Sequence, residues 1–109
     1  MYPTPRLLQA CRITLFTRTN CSLCTNAQAT LTKVQTTRPF IYKEIAVMEE
    51  GQKHWKDLYE FDTPVIHISR EDAGEEKSEL ASQARKLMHR FTEEEVKAKM
   101  DEVEGKSSV

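Results

Sequence analysis

Positions 12–17, Arg-Ile-Thr-Leu-Phe-Thr, alternate in polarity and are rich in β-branched and aromatic side chains, so they predict a first strand. A polar turn, Arg18-Thr19-Asn20, follows. From Cys21 to Gln35 the small and apolar residues Leu23, Ala27, Leu31 and Val34 recur at spacings of four, four and three, which mark one face of a helix. Thr36-Thr37-Arg38-Pro39 ends it, because β-branched residues and then proline disfavour its continuation. Phe40–Ile45 reads as a second strand. Glu49–Tyr59 reads as a second helix, with acids in its first turn, Trp55, Leu58 and Tyr59 as its core stripe, and Gly51 as a weak point.

Asp62-Thr63-Pro64 is a turn before Val65-Ile66-His67-Ile68, a strand whose dense β-branched content predicts burial on both faces. Residues 69–84 are polar and acidic and are expected to form a loop, with a short helix near Leu80 as the alternative. Lys86–Phe91 fits a strand or the start of a long helix. Thr92 and Glu95 have capping-box spacing, so a helix over 93–103 has its own N-cap and Lys86–Phe91 is left as a strand. Val96, Met100 and Val103 form the inner face of that helix, and residues 105–109 form a frayed tail. The order β-α-β-α-β-β-α predicts a mixed four-stranded sheet flanked by helices, an α/β domain over residues 11–104 behind a tail at 1–10.

Composition agrees with one ordinary domain. The chain has 109 residues, 39% hydrophobic and 30% charged. At this length folding buries roughly 65% of the unfolded surface, so neither metal nor disulfide staples are needed. No apolar run approaches the roughly 20 residues of a membrane span. Three cysteines, an odd number with no signal-peptide core ahead of them, point to a reducing intracellular home, the cytoplasm. Arg and Thr without acids in the first twenty residues leave the mitochondrial matrix as the alternative, although Pro3 and Pro5 interrupt any helix there. Charge is unevenly spread. Residues 1–43 hold Arg6, Arg12, Arg18, Lys33, Arg38 and Lys43 and no acid, while all 17 acidic side chains follow. This reads either as a positive field that draws anions or as a merely solvated acidic second half.

Cys21-Ser22-Leu23-Cys24 carries the chemistry. It lies where the first strand ends and the first helix opens, in an intracellular chain, and that context turns a short pattern into a redox hypothesis. Unpaired backbone N–H groups and the positive end of the helix dipole favour a thiolate at Cys21. Three residues on, Cys24 is within reach to resolve a mixed disulfide. Arg18 adds a cation beside the thiolate and an anionic co-substrate; the plainer reading is a solvated turn residue. Zinc is the rival for the pair, but Cys11, His54, His67 and His89 supply no second pair at ligand spacing, so no metal is expected.

Three stretches, Leu15–Cys24, Phe61–Ile68 and Leu87–Phe91, together resemble the glutaredoxin-like proteins of the thioredoxin superfamily. More narrowly, the chain looks like a small group that combines such a helix with an Asp-x-Pro-Val segment, here Asp62-Thr63-Pro64-Val65. The resemblance spans about residues 11–104. It implies the thioredoxin fold, exchange through Cys21 and Cys24, and a cis Pro64 facing Cys21, so that Thr63 and Pro64 offer backbone to a bound peptide or glutathione. Ser22 and Leu23 stand where glutathione-using members have proline and an aromatic, and Phe91-Thr92-Glu93 lacks their Gly-Gly turn. Dithiol chemistry is therefore implied more directly than glutathione binding.

The remaining residues have plain readings. Trp55 and Tyr59 suit the core better than a peptide surface, and His67 suits a hydrogen-bonded strand position better than a base. Cys11, just before the first strand, suits a buried thiol, and the acids of 71–79 suit a solvated insertion. The function expected is a dithiol oxidoreductase acting on protein or glutathione mixed disulfides. It is expected to bind no cofactor, with glutathione as a co-substrate, and to be a monomer with no nucleic-acid or membrane partner. The alternatives are a non-catalytic binding module in a larger assembly and an iron–sulfur carrier.

Overall fold

A computed structural model describes residues 11–105. The tail at 1–10, with its targeting reading, and all but the first residue of the tail at 105–109 lie outside the described residues. Four strands form one sheet in the order β2-β1-β3-β4, where β1 is Cys11–Thr17, β2 Ile41–Ala46, β3 Val65–Arg70 and β4 Arg85–Met88. The β1–β2 pair is parallel, while β3 runs antiparallel to both β1 and β4. This is the mixed sheet the element order predicts.

Alternation along the two central strands divides the core. Ile13, Leu15, Ile66 and Ile68 face α1 (Ser22–Thr37) and α3 (Glu93–Glu104), packing on Leu31, Val34, Val96 and Met100. Phe16 and Val65 face the opposite side, against Trp55 and Tyr59 of α2 (Lys53–Tyr59) and Ala81. Both faces of β1 and β3 are thus covered, as their β-branched composition requires. Phe16 anchors the second side, with its ring centroid 4.4 Å from that of Trp55.

Several boundaries move for physical reasons. Thr36 and Thr37 stay in α1 because their hydroxyls bond back to the carbonyls of Lys33 and Val34. The second helix starts at Lys53, not Glu49. Gly51 takes φ +88° in a turn, so Glu49 and Glu50 sit outside the helix and Leu58 is 43% exposed instead of lining a core stripe. β4 ends at Met88, because His89 has φ +67° and turns the chain, while Phe91 packs on the core from beyond the strand. The stretch 69–84 is not a plain loop: β3 runs on to Arg70, and 3-10 turns form at Glu71–Ala73 and Ser78–Gln83 with Ala81 buried. Cys11 belongs to β1 and is fully buried. The capping box forms as its spacing predicts. Thr92 Oγ1 accepts from Glu95 N–H at 3.1 Å, and Glu95 Oε1 accepts from Thr92 N–H at 2.9 Å.

Candidate functional site

Cys21 is the N-cap of α1. Its backbone is extended (φ −121°, ψ 100°), and its sulfur accepts the N–H of Cys24 at 3.1 Å. No acid occupies the first turn, so nothing opposes the positive end of the helix. Cys24 lies one turn in, buried on the core side, and the two sulfurs are joined in a disulfide with Cα atoms 5.2 Å apart. Cys21 is half-buried, so the pair has one sulfur open to a partner and one sheltered behind it. The local sequence explains this. Asn20 adopts φ +56° at the strand–helix turn, which Asn tolerates, and the α1 periodicity places Cys24 in register with Ala27, Leu31 and Val34.

The loop between α2 and β3 forms the other wall. The Thr63–Pro64 peptide bond is cis, Pro64 is buried, and the Thr63 hydroxyl lies 3.9 Å from Cys21 Sγ. Arg18 takes part in this wall. Its guanidinium donates to the Glu60 carbonyl at 2.8 Å and ties the β1–α1 turn to this loop. Asp62 reaches across to His89 at 3.5 Å, and the His89 N–H donates to the Pro64 carbonyl at 2.7 Å, so the turn after β4 is fastened to the same loop. Alongside α1, a cleft of about 190 Å³ is lined by Leu23, Ala27, Thr30, His89, Arg90 and Phe91. A larger cleft of about 350 Å³, beside β2 and α2, includes neither cysteine nor any residue of the 60–64 loop.

These observations bring together Cys21, Cys24, Thr63 and Pro64, with Arg18 bonded to the same loop. Residues 12–101 match the family model described as "Glutaredoxin-like domain (DUF836)". The chain belongs to that glutaredoxin-like family. Solved structures agree at the level of fold. A structure titled "Structure of a malarial protein" superposes with TM-score 0.61 at 10% identity, covering 86% of this chain and 97% of its own. Thioredoxin O2 from Arabidopsis thaliana, in the oxidized state, gives TM-score 0.59 at 13% identity, covering 87% and 76%. A thioredoxin from Thermus thermophilus gives 0.58 at 17%, covering 94% and 84%. No curated protein matches the sequence. The glutaredoxin-like chain therefore has a thioredoxin-like fold with a Cys-x-x-Cys pair at the opening of α1.

One arrangement in this glutaredoxin-like domain escaped the sequence. His67, 1% exposed, holds the Tyr59 hydroxyl at 2.7 Å through Nε2 and Glu76 Oε1 at 2.6 Å through Nδ1. The strand reading of His67 stands, but Glu76 corrects the picture of 71–79 as only solvated. Burial pushes the Glu76 carboxyl up, yet the hydrogen bond and charge of His67, together with a Ser69 hydrogen bond and the charge of Arg12, outweigh it and hold it below the usual range. Burial, then the charges of Glu76 and Asp62, push the Tyr59 phenol up. No spacing rule links a strand histidine to an acid nine residues on in an irregular segment; only the high acid content of that segment hinted at it. Among the described residues no group of three His, Cys, Asp or Glu is placed to hold a metal, and no helix is long and apolar enough to cross a membrane.

Proposed function

We propose that the chain is a dithiol thiol–disulfide oxidoreductase. The observation that carries this reading is the Cys21–Cys24 pair at the start of α1, with one sulfur half-exposed at the N-cap and the other buried within bonding reach. In the reduced protein the Cys24 N–H and the helix dipole stabilise a Cys21 thiolate, which attacks one sulfur of a substrate disulfide and releases the other as a thiol. Cys24 then attacks the Cys21 sulfur of the mixed disulfide, releasing the second substrate thiol and closing the internal disulfide. The two electrons come from the dithiol, and an external thiol, glutathione or a protein dithiol, restores it. Thr63 and Pro64 present the loop that a bound substrate meets, and Arg18 holds that loop through Glu60. Such chemistry belongs where thiols are kept reduced, and the cytoplasm is the compartment we assign.

The test is reduction of mixed disulfides with glutathione or a dithiol as reductant, on wild type, Cys21→Ser and Cys24→Ser in parallel. Wild type turns over and Cys21→Ser is inert. Cys24→Ser accumulates the mixed disulfide on Cys21. Equal rates for wild type and Cys21→Ser overturn the proposal.

A further inference from the structure

Phe61 stands in the loop that walls the Cys21 sulfur and is 87% exposed, far more than any other large hydrophobic residue described. It is two residues from Thr63, whose hydroxyl lies 3.9 Å from Cys21 Sγ. Two residues of chain span at most ~7 Å, so the Phe61 backbone lies within that reach of Thr63, on the loop that walls the reactive sulfur. Leu58, one turn earlier on α2, adds a second exposed apolar side chain. Two exposed apolar side chains on and beside the loop that walls a reactive sulfur give a partner apolar surface to cover, and covering it is favourable.

The charges around the sulfur do not supply an alternative means of recognition. Arg18 and Arg90 are offset by Glu60 and Asp62; Arg18 is committed to the Glu60 carbonyl and Asp62 faces His89. By formal count the two arginines and the two acids cancel, so the basic excess of the first half of the sequence is not carried over to this group. A small anionic disulfide such as glutathione disulfide finds no net cation here, whereas an apolar side chain finds a ring to cover.

We propose that Phe61 is a specificity-determining residue and that the substrates are protein disulfides whose reacting cysteine is flanked by an apolar side chain, in preference to glutathione disulfide. This rests on the oxidoreductase reading above. The substrate side chain covers the Phe61 ring while Cys21 attacks the neighbouring sulfur. The bonds formed and broken are those already described, with an added dithiol as reductant.

The experiment uses the full chain with dithiothreitol as reductant and three substrates: a peptide disulfide with Leu beside the cysteine, the same peptide with Ser there, and glutathione disulfide. Burial of one such ring corresponds to about a tenfold effect on kcat/KM. Wild type is expected to prefer the Leu peptide about tenfold over the other two, Phe61→Ser to lose the preference, and Phe61→Leu to retain most of it. Because each protein is judged by its own ratio, partial misfolding of a variant cancels. Equal rates for the Leu and Ser peptides in wild type, or an unchanged ratio in Phe61→Ser, overturn the inference while leaving the oxidoreductase reading intact. Turnover of no disulfide above the Cys21→Ser level overturns both.

Discussion

Replacing His67 by Leu strands two buried groups at once. In the neutral ring the Glu76 carboxylate accepts from Nδ1–H, so Nε2 accepts from the Tyr59 hydroxyl. Without the imidazole, that hydroxyl has lost its acceptor and the carboxylate the shorter of its donors, with Ser69 remaining. Each orphaned buried polar group costs about 1–3 kcal/mol. Leu recovers part of the packing against Phe16 and Trp55, and the partly accessible Glu76 finds some water, so the net loss expected is about 3 kcal/mol. Tyr59→Phe alone leaves the Nε2 lone pair unused and costs about 1–2 kcal/mol. The double variant has no hydroxyl left to strand, so its loss stays close to that of His67→Leu, and the cycle departs from additivity by about 1–2 kcal/mol. Trp55, the only tryptophan, is buried with its ring centroid 5.8 Å from that of His67, so urea unfolding followed by its fluorescence reports on this region directly. A double-variant loss equal to the sum of the singles within about 0.5 kcal/mol refutes the network.

Other outcomes follow from the same geometry. The Glu76 carboxyl is held below its ordinary value, so the stability it contributes is complete above the unfolded carboxyl value and is lost as the pH falls through the lower folded value; Glu76→Gln should flatten that acid limb in pH-dependent unfolding. Tyr59 is held above its ordinary value, so its contribution is complete below the unfolded phenol value and disappears as the pH rises through the folded one, an alkaline limb that Tyr59→Phe should remove. Thr92→Ala removes the acceptor for the Glu95 N–H and should cost about 1 kcal/mol in the same urea assay, with Thr92→Ser close to wild type. In the reduced protein, carboxymethylation followed by peptide mapping should label Cys21 well before Cys24 or Cys11, both of which are buried; simultaneous labelling of all three contradicts the cap geometry.

What could be read from the chain is what repeats at short range. The spacing of Leu23, Ala27, Leu31 and Val34 predicts α1, although Cys24 and not Leu23 is buried with the other three, and Thr92 with Glu95 predicts the start of α3. These signals lie within three or four residues and depend on nothing distant. The failures are places where a long-range contact or a positive φ decides. Lys86–Phe91 has the composition of one strand, but pairing with Val65–Ile68 ends at Met88 and His89 turns away. The acids of 71–79 look equally solvent-seeking in sequence. Only the fold shows that Glu76 meets an imidazole three residues beyond Pro64. Arg18 is the same kind of case, since its hydrogen bond to the Glu60 carbonyl depends on where the 60–64 loop passes.

That loop explains why the charge of a sequence half is a poor guide to the field at a site. The acid-free first 43 residues suggest a cationic environment for Cys21, because they contain α1 and its whole first turn. The topology places against them a loop from the acidic half, carrying Glu60 and Asp62, since β3 pairs antiparallel with β1 and delivers its N-terminal end to the strand end from which α1 departs. At physiological ionic strength charges interact over about 8 Å, so the acids that this loop brings count against the arginines of the first half, which the sequence position alone does not show. What remains specific to Cys21 is then short-ranged: the Cys24 N–H on its sulfur and the free end of the helix behind it. Both act on the attacking atom itself and favour the thiolate at Cys21 whatever the sequence half it belongs to, while the exposed Phe61 ring leaves the loop an apolar contact to offer a partner.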